Sequence, residues 1–216
     1  LGALHAGIVP VAVNTLLTAD DYAFMLENSR AQAALVSGTL VANLQAAMGR
    51  SRHEVRSVIV SRPQSALSEG QIDMASLIQS HVPGDAAPTW ADEPAFWLYS
   101  SGSTGRPKGA VHTHANMYWT AELYGKAVLG LTEADVCFSA AKLFFAYGLG
   151  NALSFPMAVG ATVRLQVGGS LDAKRFQPLA VEGVVRMISD GRFRSESFGQ
   201  TWFAGTTAVV IQAPSR

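Results

Sequence analysis

The chain has almost no cysteine. Cys137 stands alone among 216 residues, which excludes an internal disulfide framework and fits a reducing, cytoplasmic compartment. Charge is scarce as well: Asp, Glu, Lys and Arg make up 15% of the residues, against roughly 25% in an average soluble domain. The 16 cations balance 16 carboxylates, so the basic stripe that nucleic-acid binding needs is missing. No long apolar run occurs either. The best, residues 1–13, is broken by His5, two glycines and Pro10. It is too short to span a bilayer, and it lacks the cationic start of a secretory signal. Two common nucleotide motifs are also missing, the G-x-x-x-x-G-K-[ST] Walker loop and the G-x-G-x-x-G dinucleotide fingerprint.

What the chain does have is apolar surface. Hydrophobic residues make up 49% of it and its mean hydropathy is +0.19, enough for a real core and too much for general disorder. With so few charges, most of the sequence is expected to be buried, within itself or against partner segments outside it. The length suits one large domain or a piece of a larger one. The chain opens on Leu1 rather than Met, inside a helical pattern, which reads as a fragment boundary.

Along the chain, residues 1–6 predict the end of a helix stopped near Gly7, and 8–13 a short apolar strand. T-A-D-D at Thr18 has the form of a capping box with Asp in place of Glu, and Tyr22, Met25 and Leu26 follow at helical spacing. A strand is expected at 33–36, a helix at 40–48, and a strand at 55–60 from its β-branched content. Residues 61–94 are looser, with one short helix at 73–79. Residues 96–99 read as a buried strand, 114–128 as a helix, 136–140 as a strand, 149–157 as partly helical and 161–165 as a strand. Strand and helix alternate, the mark of an α/β fold with a largely parallel sheet. After Leu165 the periodicity fades: V-E-G-V-V-R-M-I suits a strand or a short helix, and the rest of 166–216 offers no confident element.

The least average stretch is Y-S-S-G-S-T-G-R-P-K-G-A-V-H-T-H, residues 99–114. Gly102, Gly105 and Gly109 permit sharp turns and close approach to a ligand. Ser100, Ser101, Ser103 and Thr104 add hydroxyl donors, and Lys108 adds a cation. Successive backbone amides in such a turn form an anion-binding concavity suited to polyphosphate. A solvent-exposed Gly/Ser loop without a ligand explains the composition equally well.

Y-S-S-G-S-T-G-R-P-K-G followed by V-H-T-H-A-N resembles the phosphate-loop signature of the AMP-forming adenylating enzymes. That superfamily includes acyl-CoA synthetases, the adenylation domains of peptide synthetases and beetle luciferases. L-G-A-L-H-A-G-I-V-P-V-A-V-N is similar to the upstream helix–strand segment of the same family. A-K-L-F-F-A-Y-G-L-G-N, residues 141–151, with D-V-C-F-S-A-A-K leading into it, is similar to the acyl-pocket segment of the benzoate–CoA ligase branch. The resemblance covers residues 1–165.

It implies the large N-terminal domain of an adenylate-forming enzyme that consumes ATP, an aryl carboxylate and coenzyme A. By match to the motif, Ser101, Ser103 and Thr104 supply hydroxyls to the ATP phosphates, Gly102, Gly105 and Gly109 shape the loop and offer amides, and Lys108 supplies charge. Phe145, Ala146, Tyr147 and Gly148 match the aryl pocket, with Ala146 and Tyr147 flanking the ring. Mg2+ is implied as a bridge between phosphates, its carboxylate ligand lying outside the matched region, so no metal ligand is assigned in this chain.

No catalytic residue is assigned either, because the lysine of adenylation belongs to a C-terminal domain of the family. Lys142 reads as a surface or supporting residue and Cys137 as a small buried one. The His112–His114 pair lacks a nearby cluster of acids or histidines and reads as structural rather than as a metal site. The family's ribose and adenine motifs have no counterpart in 166–216. The expectation is therefore a partial AMP-binding domain over 1–165, inactive alone, followed by an unmatched tail that is frameshifted or poorly ordered. The rival for the tail is a genuine but divergent segment. The rival for the function is a catalytically silent remnant that at most binds nucleotide phosphate. Neither nucleic acid nor membrane is expected as a partner.

Overall fold

Residues 1–100, 106–139 and 141–165, with the backbone of 184–189, 192–196 and 208–212, are described by the structure, a computed structural model. The chain forms two compact units, Leu1–His112 and Thr113–Arg216.

In the first unit, helix α1 (Gly2–His5) ends on Gly7 at φ +68°, the left-handed turn that glycine adopts at a helix C-terminus. Strand β1 (Val11–Ala12) is shorter than the apolar run predicts. Helix α2 (Ala19–Ser29) starts where the T-A-D-D pattern places it. The Asp21 amide donates to Thr18 Oγ1 at 3.2 Å, and the Thr18 amide donates to Asp21 Oδ2 at 3.1 Å. A shorter Asp thus closes the reciprocal cap in place of Glu. Strand β2 (Ala33–Ser37), helix α3 (Val41–Met48) and strand β3 (Ser57–Ser61) follow within a residue or two of expectation. Tyr22, Ala23, Met25 and Leu26 of α2 are buried against Leu44 and Ala47 of α3. Each large side chain in such a core contributes about 1.5–3 kcal/mol.

Strand β4 (Gln71–Asp73) falls in the stretch expected to be loose. Three residues are too few to show alternation, and it is pairing with β3 that makes them a strand. Asp73 then caps helix α4 (Met74–Gln79), accepting from the Ser76 amide at 2.9 Å. Strands β5 (Pro94–Ser100) and β6 (Lys108–Thr113) complete the unit. Its strands form two sheets, β1-β5-β6 and β2-β3-β4. β1 runs parallel to β5, and β3 parallel to both β2 and β4.

The second unit begins with helix α5 (His114–Thr120), which runs into a π-helical turn, Ala121–Lys126. Strand β7 (Val136–Ser139) and helix α6 (Ala146–Leu149) follow, then a second π-helical turn, Gly150–Ser154, leads into helix α7 (Phe155–Val159). Phe155 packs against both turns. A Cβ on Gly125 would sit 3.1 Å from Phe155 Cβ, and one on Gly150 would sit 2.7 Å from Phe155 Cζ. The two glycines make the seat for this buried ring, which joins Ala121, Leu129, Leu131 and Cys137 in the core. Strand β8 (Thr162–Leu165) pairs parallel with β7.

Beyond Leu165 the backbone forms β9 (Val184–Ser189) largely within V-E-G-V-V-R-M-I, the stretch read as a strand or a short helix, and β10 (Arg192–Glu196) and β11 (Ala208–Gln212) where no confident element is expected. They complete a sheet of order β10-β9-β11-β7-β8, with β11 antiparallel to β7. The fold is α/β, and the parallel pairs all lie within residues 1–165.

Candidate functional site

The phosphate-loop motif starts at the end of β5. Ala95, Phe96 and Leu98 are buried and Trp97 and Tyr99 partly so, as in a strand covered on both faces. The Trp97 amide donates to the Pro10 carbonyl at 2.9 Å, and Trp97 pairs with Val11. Burial raises the Tyr99 phenol above its ordinary range, and its hydroxyl donates to Asn28 Oδ1 at 2.7 Å. Ser101, Gly102, Ser103, Thr104 and Gly105 lie outside the described residues.

The chain is described again from Arg106, whose guanidinium lies 5.8 Å from the centre of the Phe24 ring. Lys108 opens β6 and is exposed. Gly109 follows in close contact with β5: an added Cβ would lie 2.9 Å from Trp97 Cε3 and 3.2 Å from Tyr99 Cε1. Packing against two aromatic rings is thus a sufficient reason for glycine at this position. His112 stacks on Phe96 with centroids 4.8 Å apart and planes 11° from parallel. The Thr113 amide donates to Asn116 Oδ1 at 2.9 Å, so His114 begins α5 behind a capped residue.

Residues 141–151 belong to the second unit. Ser139 is buried and donates to the Ala141 carbonyl at 3.2 Å. Lys142 is exposed with its ammonium 5.7 Å from the Phe144 ring centre, a surface cation on an aromatic face. Phe144 and Phe145 pack at 4.6 Å and 58°. Phe145 precedes α6 in extended conformation, and both it and Ala146 are exposed. Tyr147 packs against the core cluster around Phe155. Burial raises its phenol above the ordinary range, while a hydrogen bond with the buried Asn151 pulls the other way. Gly148 is buried, and a Cβ there would lie 2.1 Å from the Lys142 carbonyl oxygen. Beneath this segment, desolvation and then the Asp135 carboxylate push the Cys137 thiol up from 9.0 to about 11.

Sequence reasoning passed over Asn28, Phe24 and Asn151. Asn28 and Phe24 share one face of α2, and their spacing of four was the available signal. Among the described residues no group of three or more His, Cys, Asp or Glu side chains is placed to hold a metal ion.

Residues 1–188 match the family described as AMP-binding enzyme, so the match continues past Leu165, where the quoted motifs stop. The chain is 47% identical over 180 residues to the benzoate–CoA ligase of Thauera aromatica, covering 83% of this chain and 33% of that protein. It is 45% identical over 207 residues to the 4-hydroxybenzoate–CoA/benzoate–CoA ligase of Rhodopseudomonas palustris, covering 91% of this chain and 38% of that protein. A solved benzoate CoA ligase from Burkholderia xenovorans superposes with TM-score 0.67 at 49% identity, over 83% of this chain and 34% of that one. The chain thus spans about a third of the length of the curated relatives it matches. It belongs to the AMP-binding enzyme family, alongside these acid–thiol ligases.

Proposed function

We propose that this chain forms the ATP-gripping and acid-accepting part of an AMP-forming benzoate–CoA ligase. The observation that carries the reading is 47% identity to a benzoate–CoA ligase across both motif segments. In the first half-reaction a carboxylate oxygen of the aryl acid attacks the α-phosphorus of ATP. The bond to the bridging oxygen breaks, pyrophosphate leaves and an acyl-adenylate remains. In the second, the thiol of coenzyme A attacks the acyl carbon, AMP leaves with the bonding electrons and the thiol proton is released.

The work of this chain lies in the first step. Charge accumulates on the departing pyrophosphate, and preoriented donors with a cation stabilise it electrostatically. Ser101, Ser103 and Thr104 supply hydroxyls, Gly102 and Gly105 amides, Gly109 the close approach of β6, and Lys108 its charge. The exposed ammonium of Lys108 at the start of β6 supports that role. Phe145, Ala146, Tyr147 and Gly148 form the acid-facing segment, in which a small Ala146 beside an aromatic leaves room for a planar ring.

A cytoplasmic location belongs to the same reading, as that of an enzyme that draws on ATP and coenzyme A. No described helix is long and apolar enough to cross a membrane. In this reading residues 1–165 carry the quoted motifs of the AMP-binding domain, and 166–216 form a tail outside those motifs. The family match running to residue 188 favours a divergent continuation of the domain over a change of frame at Leu165.

The test is a chimera in which this chain replaces the matching third of the Thauera aromatica ligase. Benzoate-dependent exchange of pyrophosphate into ATP is expected. Lys108→Ala should weaken it by about 2–4 kcal/mol of transition-state stabilisation. Ala146→Leu should discriminate against benzoate relative to a short aliphatic acid by about 1–3 kcal/mol. Exchange unchanged by Lys108→Ala would remove the phosphate role. Equal losses for both acids in Ala146→Leu would remove the ring site.

A further inference from the structure

Both flanks of the glycine-rich loop touch the same helix. Before the loop, the Tyr99 hydroxyl donates to Asn28 Oδ1 at 2.7 Å. After it, the Arg106 guanidinium lies 5.8 Å from the Phe24 ring centre. Phe24 and Asn28 are four residues apart on α2, and so lie one above the other on one face. Between Tyr99 and Arg106 the sequence holds S-S-G-S-T-G, which has no apolar side chain to anchor itself.

α2 is well placed to serve as an anchor. It is capped at Thr18, and its Tyr22, Ala23, Met25 and Leu26 are buried in the core. Arg50 bonds Asp20 at 2.8 Å, the Arg52 amide donates to Glu27 Oε1 at 2.7 Å, and Arg30 bonds Glu54 at 2.6 Å. The Tyr99 ring packs against the same core. Ordering a glycine-rich segment costs much chain entropy, and fixing its two flanks beforehand removes part of that cost.

We propose that α2 positions the phosphate loop, Asn28 holding its start through Tyr99 and Phe24 holding its end through Arg106. Phe24 and Asn28 are positioning residues and touch no substrate. The tether stands on the two contacts, and only its consequence for ATP rests on the phosphate-gripping role.

Hydrogen exchange of the 216-residue chain tests it, read on peptides spanning residues 99–109 and, as a control, on peptides covering β3. Tyr99→Phe and Asn28→Ala should each speed exchange in 99–109 by on the order of fivefold. Their double variant should add little to either. Asn28→Asp, which keeps an acceptor, should restore the slow rate. Phe24→Leu, which keeps apolar packing on the core, should speed exchange about two- to fivefold. β3 should be unaffected throughout. Exchange in 99–109 unchanged by both Asn28→Ala and Phe24→Leu, or raised equally in β3, overturns the tether.

Titration of the same variants with ATP and with inorganic pyrophosphate supplies the second arm, with affinity expected to fall in step with the exchange. Faster exchange with unchanged affinity for both leaves the tether standing and removes the phosphate role instead.

Discussion

The two motif segments are held in opposite ways. Around the phosphate loop, side chains reach across from one element to another: Tyr99 to Asn28, Arg106 to Phe24, His112 onto Phe96. Around residues 141–151, the backbone itself is close-packed. The Gly148 Cα faces the Lys142 carbonyl so closely that a Cβ would fall 2.7 Å from its carbon, and Gly150 leaves room for the Phe155 ring. A segment held by single side-chain contacts loses about 1 kcal/mol for each one removed. A segment held by main chain against main chain has no slack for even one methyl group. The first arrangement can be loosened one contact at a time, and the second cannot.

Adding that methyl is the strongest way to test the contrast. Gly148→Ala places a carbon against the fixed carbonyl of Lys142, and no rotamer change relieves it. The expected cost is about 3 kcal/mol of stability, the upper end of overpacking in a core, read as a lower denaturant midpoint at unchanged slope. Gly109→Ala should cost less, about 1–2 kcal/mol, because the atoms it meets belong to the Trp97 and Tyr99 side chains, which can shift. If the two variants are equally destabilised, the proposed difference between the segments fails.

The same contrast governs how much the sequence reveals. The α/β alternation, the Thr18 cap and the strand leading into the loop are legible because each depends on residues within four or five positions. β4 is not legible, because Q-I-D becomes a strand only by pairing with β3. The single helix read over 114–128 is interrupted from Ala121 onward by a π-helical turn whose Gly125 packs against Phe155, some thirty residues away. β10 and β11 lie in a stretch without periodicity. At the site, hydroxyls, glycines and a lysine announce their chemistry by type. Asn28 and Phe24 do not: their spacing of four places them on one face, but which residues that face meets depends on Tyr99 and Arg106, more than seventy positions away.

The smallest expected effect, in alkali, reports on the packing beneath the aryl segment. Cys137 is 4% exposed, in the cluster that Tyr147 covers. Its thiol is pushed from 9.0 to about 11 by burial first and by the Asp135 carboxylate second. At pH 8 the folded chain should hold on the order of a hundredfold less thiolate than the unfolded one, so iodoacetamide should modify it far more slowly than after denaturation. The sign of the pH effect follows from proton binding. Below about pH 9 both states keep the proton, and Cys137 leaves stability independent of pH. Between about 9 and 11 the unfolded thiol ionises while the folded one does not, so stability should fall as pH rises across that window. Cys137→Ala should flatten this part of the profile relative to the parent chain. Gly148→Ala, by disturbing the segment that covers the thiol, should speed its alkylation at pH 8. If Cys137 reacts as fast in the folded parent as in the unfolded chain, the close packing assigned to this segment is wrong.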